Sequence, residues 1–477
     1  MHKLIKNIGF IIALSGVVLV ACDDDYPKSK VEPYATELLT IKVLNAGADG
    51  STVLQGTIDE ENKTVSFPRL ELATDFSALK FEAEVSEGAE LKQTVFDFSM
   101  DEEEASKRLL LRIQNHNRYK DYFVEIRRKV PLYGADFKQG VEYNFTGASL
   151  YPSFTGLLTR GASFDGEHVL IVSRTATGPH LLQVADLKEG KIEPMKLDLT
   201  GVTGGTFAYN TGALANGHVY ISSLSGGQVS PLKIYYWETP ESKPEVLANI
   251  DVRTILDAGD RHGDMISVNI NKEGNGFIYY ADNATSGKKV LRLRVTDHKT
   301  ISDPTVINTG TDATAYMNVF RIEDTNEYVW SSIRASVALT DESMGVKYSM
   351  NKSNLAVESI AARIFTFNKE RYLIVSTAGL GSATKAIPAL HVYNITRGKT
   401  VEEALERFDM GDRHDADYTF NLGGLGNGAP AAFTGYHIVK DEKGNDVKLC
   451  LFAARTDSGF VISEFPIKKG ETEDEDQ

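Results

Sequence analysis

Two loops carry nearly the same string of charged residues, and this recurrence is the clearest chemical signal in the sequence. Residues 259–264 read GDRHGD and residues 411–417 read GDRHDAD. Guanidinium and carboxylate groups recognise sugar hydroxyls and carboxylates through paired hydrogen bonds. The loops therefore supply these candidate ligand-binding residues: Asp260, Arg261, His262, Asp264, Asp412, Arg413, His414 and Asp417.

The same loops admit other interpretations. Their Asp and Gly residues could serve only to form turns, because Asp side chains bond nearby backbone and Gly tolerates positive φ. Asp264 and Asp417 could instead act as the acid and base of a hydrolase or lyase, held apart as glycosidase carboxylates are. The sequence has no His-Glu-x-x-His spacing, so we predict no zinc site. Calcium bound by clustered Asp is the one cofactor left open.

Three further arginines, Arg174, Arg334 and Arg455, each follow a predicted strand by one or two residues. Small hydroxyl residues and glycines surround them, so this part of the surface would offer many hydrogen bonds and little apolar area. Arginines on exposed loops are often only solvated, which is the alternative interpretation. We add the three arginines to the candidate ligand-binding set because all three would lie at one end of the repeat described next.

A strand repeat positions both sets of residues. Its second strand recurs six times with the same apolar character, about every 45 to 70 residues, which is the spacing of propeller blades with loop insertions. The six copies lie at residues 168–173, 218–223, 277–282, 328–332, 372–377 and 448–453. Period-two alternation dominates the chain and helical patterns are scarce. We therefore predict an all-β protein whose residues 132–469 form a β-propeller of six blades. A large sandwich or an irregular β-solenoid is the alternative.

The last blade lacks a fourth strand, because the chain after residues 460–465 runs into an acidic tail at 470–477. Residues 141–145 have nothing else to pair with, so we predict that they close the ring on the edge of blade six. We place the loop 259–264 before the first strand of blade three and the loop 411–417 before that of blade six. The two loops would then face each other across the central channel.

The N-terminus predicts export and lipidation. Lys3 and Lys6 precede an apolar run that is too short to span a bilayer. The run ends in Leu-Val-Ala-Cys at residues 19–22, with three aspartates directly after it, which matches a bacterial lipoprotein cleavage box. We predict a signal peptide over 1–21, lipidated Cys22 and a flexible polar stalk over 22–36. An ordinary secretory signal is the alternative.

The net charge and the cysteine content limit which ligands and which disulfide bonds we expect. The formal net charge is −15, and removal of Lys3 and Lys6 with the signal makes it more negative by two. The chain has no basic stripe, so nucleic acid is excluded as a ligand. Once Cys22 is lipidated, Cys450 has no partner for an intramolecular disulfide, and we predict that it is a small core residue.

Residues 37–131 carry five strand candidates separated by turn residues, which suits a small sandwich. The candidates lie at residues 39–44, 64–70, 79–85, 109–114 and 122–127. The segments TVSFP (64–68), LKF (79–81), SEGA (86–89) and YFVE (122–125), together with Asp75, resemble an immunoglobulin-like domain common near the N-terminus of Bacteroidetes surface lipoproteins. That resemblance implies a spacer without a site.

The whole arrangement resembles Bacteroidetes lipoproteins associated with glycan foraging. In that lineage an acidic run after the lipidated Cys implies the outer face of the outer membrane. The first hypothesis is a non-catalytic module that binds a glycan or related polar ligand at one rim of the propeller. A carbohydrate-active hydrolase or lyase and a scaffold that binds an outer-membrane protein are the alternatives, because a fold alone does not choose among them.

Overall fold

The computed structural model describes residues 34–101, 104–147, 157–225, 230–283, 288–309, 316–380, 387–424 and 428–470. The signal peptide, Cys22, most of the stalk and the acidic tail after residue 470 lie outside these ranges. Strands make up 51% of the structure and helices 7%, so the fold is nearly all-β. Within the described ranges, no helix has the length and apolar character needed to cross a membrane. The described chain divides into two compact units, 34–131 and 132–470.

The first unit contains two sheets around one apolar core. Its strands are β1 (Leu38–Ala46), β2 (Thr52–Gln55), β3 (Thr57–Asp59), β4 (Thr64–Ser66), β5 (Leu79–Val85), β6 (Glu90–Leu91), β7 (Val95–Phe96), β8 (Ser106–Asn115) and β9 (Arg118–Arg127). The strand orders are β2-β1-β5-β7 and β3-β4-β9-β8-β6, and β4 runs parallel to β9. Period-two alternation sends Leu79 and Phe81 inward while Lys80 and Glu82 stay exposed.

The second unit contains six four-stranded antiparallel sheets and two α-helices, α1 (Val184–Lys188) and α2 (Val401–Met410). It begins with β10 (Val141–Thr146). Sheet 1 holds β11 (Thr159–Phe164), β12 (His168–Ser173), β13 (His180–Gln183) and β14 (Met195–Lys196); sheet 2 holds β15 (Phe207–Ala215), β16 (His218–Leu224), β17 (Leu232–Trp237) and β18 (Glu245–Ile250). Sheet 3 holds β19 (Ser267–Ile270), β20 (Gly276–Ala281), β21 (Lys289–Thr296) and β22 (Thr300–Asn308); sheet 4 holds β23 (Asn318–Arg321), β24 (Tyr328–Ser331), β25 (Ala338–Thr340) and β26 (Val346–Ser349). Sheet 5 holds β27 (Ser359–Phe367), β28 (Glu370–Thr377), β29 (Ala389–Asn394) and β30 (Tyr418–Asn421); sheet 6 holds β31 (Ala432–Lys440), β32 (Asp446–Arg455) and β33 (Gly459–Pro466).

The six predicted second strands correspond to β12, β16, β20, β24, β28 and β32, each the second strand of its sheet. They are apolar almost throughout because they are buried on both faces, and Cys450 in β32 is buried as predicted. In sheet 1 the third strand, β13, ends at Gln183 and α1 begins directly after it. Val184 and Leu187 are both buried there, at the i, i+3 spacing that places two side chains on one helical face.

The six sheets form a closed ring, because the first strand of each sheet packs on that of the next and β31 of sheet 6 packs on β11 of sheet 1. Each junction also has a hydrogen bond in which a small polar side chain is the donor or the acceptor. These bonds are Leu214 N to Ser163 Oγ (3.0 Å), Asn210 Nδ2 to Gly263 O (2.7 Å), Val319 N to Ser267 Oγ (3.0 Å), Ala362 N to Ser331 Oγ (3.0 Å), Thr434 Oγ1 to Ala361 O (2.5 Å) and Thr456 Oγ1 to Thr159 O (2.9 Å).

The predicted closure by residues 141–145 is confirmed. β10 pairs antiparallel with β33 along its whole length, from Val141 opposite Glu464 to Thr146 opposite Gly459. It supplies the fourth strand of sheet 6, whose order is β10-β33-β32-β31. Phe145 is buried and stacks on Phe460 with 4.8 Å between ring centroids. β10 therefore covers the edge of β33 that would otherwise be unpaired.

The strand directions define two rims. Neighbouring first strands run the same way, since contacts between β19 and β23 advance together along both strands, from Ser267 with Val319 to Asn269 with Arg321. We call the upper rim the end at which first strands begin and second strands end. The lower rim is the opposite end, at which second and fourth strands begin.

Candidate functional site

The loop 259–264 lies on the upper rim, as predicted, because it leads into β19, the first strand of sheet 3. It packs tightly on sheet 2. Gly263 has a φ of +94°, and a Cβ there would lie 2.1 Å from the carbonyl oxygen of Ser223. Ser225 N in turn donates to the carbonyl of His262 at 2.9 Å. Only glycine fits this close approach, so the loop has a fixed path across the end of sheet 2.

The loop 411–417 does not lie opposite the first loop, and that prediction is wrong. It follows α2 and leads into β30, the fourth strand of sheet 5, and not into the first strand of sheet 6. Because fourth strands begin at the lower rim, the two loops lie at opposite ends of the ring. Asp264 and Asp417 therefore do not form an acid and base pair across one cleft.

The side chains of the second loop mostly stabilise their own surroundings. The ring of His414 bonds the carbonyl of Phe408 at 3.0 Å, at the end of α2, and Asp417 accepts a hydrogen bond from Asn394 N at 2.7 Å. Arg413 and Asp415 are highly exposed, with 3.9 Å between them. Together with Asp412 they border a lower-rim cavity of about 530 Å³. In the described part of the chain, no group of three or more His, Cys, Asp or Glu side chains is placed to hold a metal ion.

Asp264 is the centre of a charged group at the upper rim. Its side chain is only 5% exposed. Arg261 donates to both of its carboxylate oxygens, from Nε at 2.7 Å and Nη2 at 2.9 Å, and Asn283 Nδ2 donates at 3.1 Å. Arg160 Nη2 lies 3.7 Å away, and the same guanidinium bonds the carbonyl of Ala429. This arrangement fixes the position of Arg261, whose side chain is 43% exposed.

Arg174 is close to this group. Its guanidinium lies 3.9 Å above the centroid of Phe207, and Nη2 donates to the carbonyl of Leu157 at 2.9 Å. Burial lowers the pKa of Arg174, and the positive charges of Arg160 and Arg261 lower it further, while Asp264 acts in the opposite direction. We call Arg160, Arg174 and Arg261 with Asp264 the arginine cluster: Arg160 and Arg261 pair with the carboxylate of Asp264, and Arg174 lies near these charges.

A cavity adjoins the arginine cluster between sheets 1 and 2. It measures about 490 Å³ and is lined by Leu158, Arg174, Thr206, Phe207, Ala208 and Tyr209, and we call it the Phe207 pocket. Phe207 is 41% exposed and Leu158 is 44% exposed, so two large apolar side chains face solvent beside a positive group. The upper rim therefore combines charged hydrogen-bond donors with an apolar wall.

The other residues that were predicted to bind a ligand differ in whether they are buried or exposed. Arg455 is fully buried and donates to the carbonyls of Ala378, Gly379 and Thr456, so its predicted contact with a ligand is wrong. His262 is also 0% exposed and does not reach a ligand in this conformation. Arg334 and Asp260 are exposed on the upper rim and stay predictions.

Arg160 was missed because it lies in β11, every residue of which is buried. The other residues of the strand are apolar or small, and the signal in the sequence is a charged residue inside that pattern. Since a buried charge is costly without a partner, an arginine in such a strand indicates a charged or carbonyl partner elsewhere in the fold. The arginine cluster therefore has one member in a strand, Arg160, and three in loops, Arg174, Arg261 and Asp264.

Comparison with known proteins identifies the family of this chain. A family model described as a domain of unknown function, DUF4623, matches residues 24–468. The chain belongs to the DUF4623 family. The crystal structure of a DUF4623 family protein from Bacteroides eggerthii DSM 20697 is 56% identical and covers 91% of this chain and 99% of its own, with a TM-score of 0.73. The family match spans both units.

Two further solved structures resemble the DUF4623 protein only weakly. A GH43 endo-arabinanase from Bacillus licheniformis is 14% identical over 53% of this chain and 91% of its own, with a TM-score of 0.33. A Thermus thermophilus protein described as a putative glucose dehydrogenase is 11% identical over 68% of this chain and 99% of its own, with a TM-score of 0.34. At these scores neither structure bears on function. Curated proteins give no match.

We expect the DUF4623 protein to lose stability on acidification, in part through His262. Burial lowers the pKa of His262 below its usual 6.5. Below about pH 6.5 the unfolded chain takes up a proton that the folded chain does not, so stability falls as pH falls, by up to roughly 1.4 kcal/mol per pH unit per histidine. Buried His180 and half-buried His391 act in the same direction.

The measurement is the melting temperature between about pH 7.5 and 5.5 for the wild type and His262→Gln. The drop should be smaller in the variant, because it lacks one of the buried imidazoles. An identical drop in both proteins would show that His262 does not contribute.

Proposed function

We propose that this DUF4623 protein is a surface lipoprotein whose second unit, a six-bladed β-propeller, binds a glycan at its upper rim. The observation that carries the proposal is the arginine cluster beside the Phe207 pocket. Planar guanidinium groups donate paired hydrogen bonds to sugar oxygens, and exposed aromatic and aliphatic side chains pack on the CH face of a sugar ring. Propellers commonly bind ligands at the rim around the central axis, and the closed ring of six four-stranded sheets supports that architecture.

The state of Asp264 favours binding over catalysis. One oxygen accepts hydrogen bonds from Arg261 Nε and Asn283 Nδ2, and the other accepts one from Arg261 Nη2. A carboxylate engaged in this way is poorly placed to take a proton from a substrate or water, because transfer needs a free oxygen within hydrogen-bond reach. Asp264 instead acts as a positioning residue for Arg261.

The proposal also assigns roles to the N-terminal segment, as a lipid anchor, and to the first unit, as a spacer. The cleavage box at residues 19–22 supports lipidation of Cys22, and the acidic residues after it support export to the outer face of the outer membrane. Two sheets around one core support an immunoglobulin-like spacer in the first unit. A lipid anchor with a stalk and spacer would present the ring away from the membrane, as a glycan receptor requires.

The test is a binding screen on the lipid-free protein, residues 23–477, against neutral and acidic oligosaccharides from plant and host polysaccharides. Arg261→Gln should weaken any hit by roughly 10- to 150-fold, because hydrogen bonds to a charged group contribute about 1.5 to 3 kcal/mol.

Arg413→Gln is the matched control, since it changes the same position of the repeated string at the opposite rim, and it should bind as the wild type does. Product analysis of each hit by mass spectrometry accompanies the screen. Equal losses in both variants, no binding at all, or cleaved products would contradict a glycan receptor at the upper rim.

A further inference from the structure

The arginine cluster has the opposite charge to the chain as a whole. The sequence has 66 acidic and 51 basic residues, yet the charged groups that act on Arg174 at the upper rim are the two guanidinium groups of Arg160 and Arg261 and one carboxylate, that of Asp264. Partial burial weakens solvent screening of such charges, so the excess of positive charge creates a local field that favours an anion. A neutral glycan would leave this field unbalanced.

Arg174 is the member of the cluster that a ligand can engage most readily. Arg261 is paired with Asp264 through two hydrogen bonds, and Arg160 is 3% exposed. Arg174 has the hydrogen bond to the Leu157 carbonyl and the stacking contact with Phe207, and its Nε has no hydrogen-bond partner among the described residues. Because this Nε is itself buried, an anion in the pocket would act on the charge of the guanidinium and offset part of the cost of burying it.

The Phe207 pocket supplies the second half of a ligand site next to the same arginine. Its volume of about 490 Å³ is within the range of small-ligand sites, roughly 300 to 1,000 Å³. Leu158, Phe207, Ala208 and Tyr209 form its apolar lining, and the Thr206 hydroxyl, which bonds the Ser230 hydroxyl at 2.9 Å, adds a polar group. A ligand for this pocket needs an apolar face and a negative group on one small ring.

We propose that the Phe207 pocket binds a uronic acid residue of a glycan, with the sugar carboxylate on the guanidinium of Arg174 and the CH face of the ring on Phe207. This inference rests on the proposed function and narrows its ligand class. A carboxylate is favoured over other anions because its two coplanar oxygens match the planar donor fork of arginine.

The experiment compares each uronate oligosaccharide with its own methyl ester, which keeps the sugar and removes the charge. Oligosaccharides of galacturonate, glucuronate and mannuronate are titrated calorimetrically into the lipid-free protein. At least one free acid should bind at least about tenfold more tightly than its ester. Arg174→Gln should bring that ratio close to one. Phe207→Ala should weaken the free acid and the ester alike, and Arg413→Gln should change neither.

The outcomes separate this inference from the proposed function. If the esters and neutral oligosaccharides bind as well as the free acids, and Arg174→Gln binds both as the wild type does, the uronate assignment is overturned while a glycan receptor stands. If a sulfated oligosaccharide binds more tightly than every uronate, the carboxylate assignment is overturned. If no oligosaccharide binds, both proposals fail.

Discussion

Deletion of residues 1–147 is expected to lower the melting temperature of the ring by on the order of 10 °C or more, whereas deletion of residues 1–129 should leave it unchanged. The longer deletion removes β10 and exposes the edge of β33, including Phe460. Loss of the Phe145 side chain alone costs roughly 3 to 5 kcal/mol, and each kcal/mol shifts the melting temperature by about 2 to 4 °C in a unit of this size. Calorimetry of both truncations measures the difference, and equal melting temperatures would refute closure by β10.

Point variants in the full chain isolate β10 from the residues before it. Phe145 is 7% exposed and Val141 is 51% exposed, although both belong to the same strand. Phe145→Ala should therefore lower the free energy of unfolding by several kcal/mol, about 3 to 5, while Val141→Ala should change it by less than about 1. Similar losses in the two variants would indicate that burial against β33 is not what stabilises the ring.

The second large effect is expected at Arg455. Arg455→Met should lower the free energy of unfolding by roughly 3 to 5 kcal/mol, although methionine fills much of the same space. The carbonyls of Ala378, Gly379 and Thr456 lose charged donors at 2.7 to 3.1 Å, and each buried acceptor left unsatisfied costs about 1 to 3 kcal/mol. Denaturant unfolding monitored by tryptophan fluorescence measures the change.

Arg413→Met provides the control for loss of an arginine. Its side chain is 78% exposed, so the free energy of unfolding should change by no more than about 0.5 kcal/mol. If Arg455→Met were as stable as this control, the hydrogen bonds from Arg455 between sheets 5 and 6 would have no structural importance.

Much of the ring could be predicted because its signals are local. The six second strands are apolar runs bounded by turn residues, and β12 has the predicted limits to the residue. The absence of a fourth strand after β33, combined with an unpaired strand at 141–145, was enough to predict the closure. Both arguments depend only on strand period and on the cost of an unpaired edge.

The arrangement of the site was harder to predict from the sequence, because it depends on contacts between sheets that no local sequence pattern encodes. β30 has only four residues and follows α2, so its sequence gives a weak strand signal. The loop 411–417 was therefore predicted to begin sheet 6, although it leads into the last strand of sheet 5. Arg174 and Arg455 follow second strands in similar sequences, yet one borders a cavity and the other is fully buried. Burial of this kind is set by the neighbouring sheet.

The pairing of β10 with β33 also determines how the ring responds to pulling. The chain enters β10 at the lower rim, at Val141, while the arginine cluster is at the upper rim. A load applied between a ligand at the cluster and the chain before Val141 therefore runs along the strands. Hydrogen bonds in an antiparallel pair lie across the strand direction, so this load shears all six residue pairs together and does not unzip them one at a time. The closing strand thereby gives the ring high mechanical resistance to a load along this direction, which is the load that the proposed surface receptor would bear.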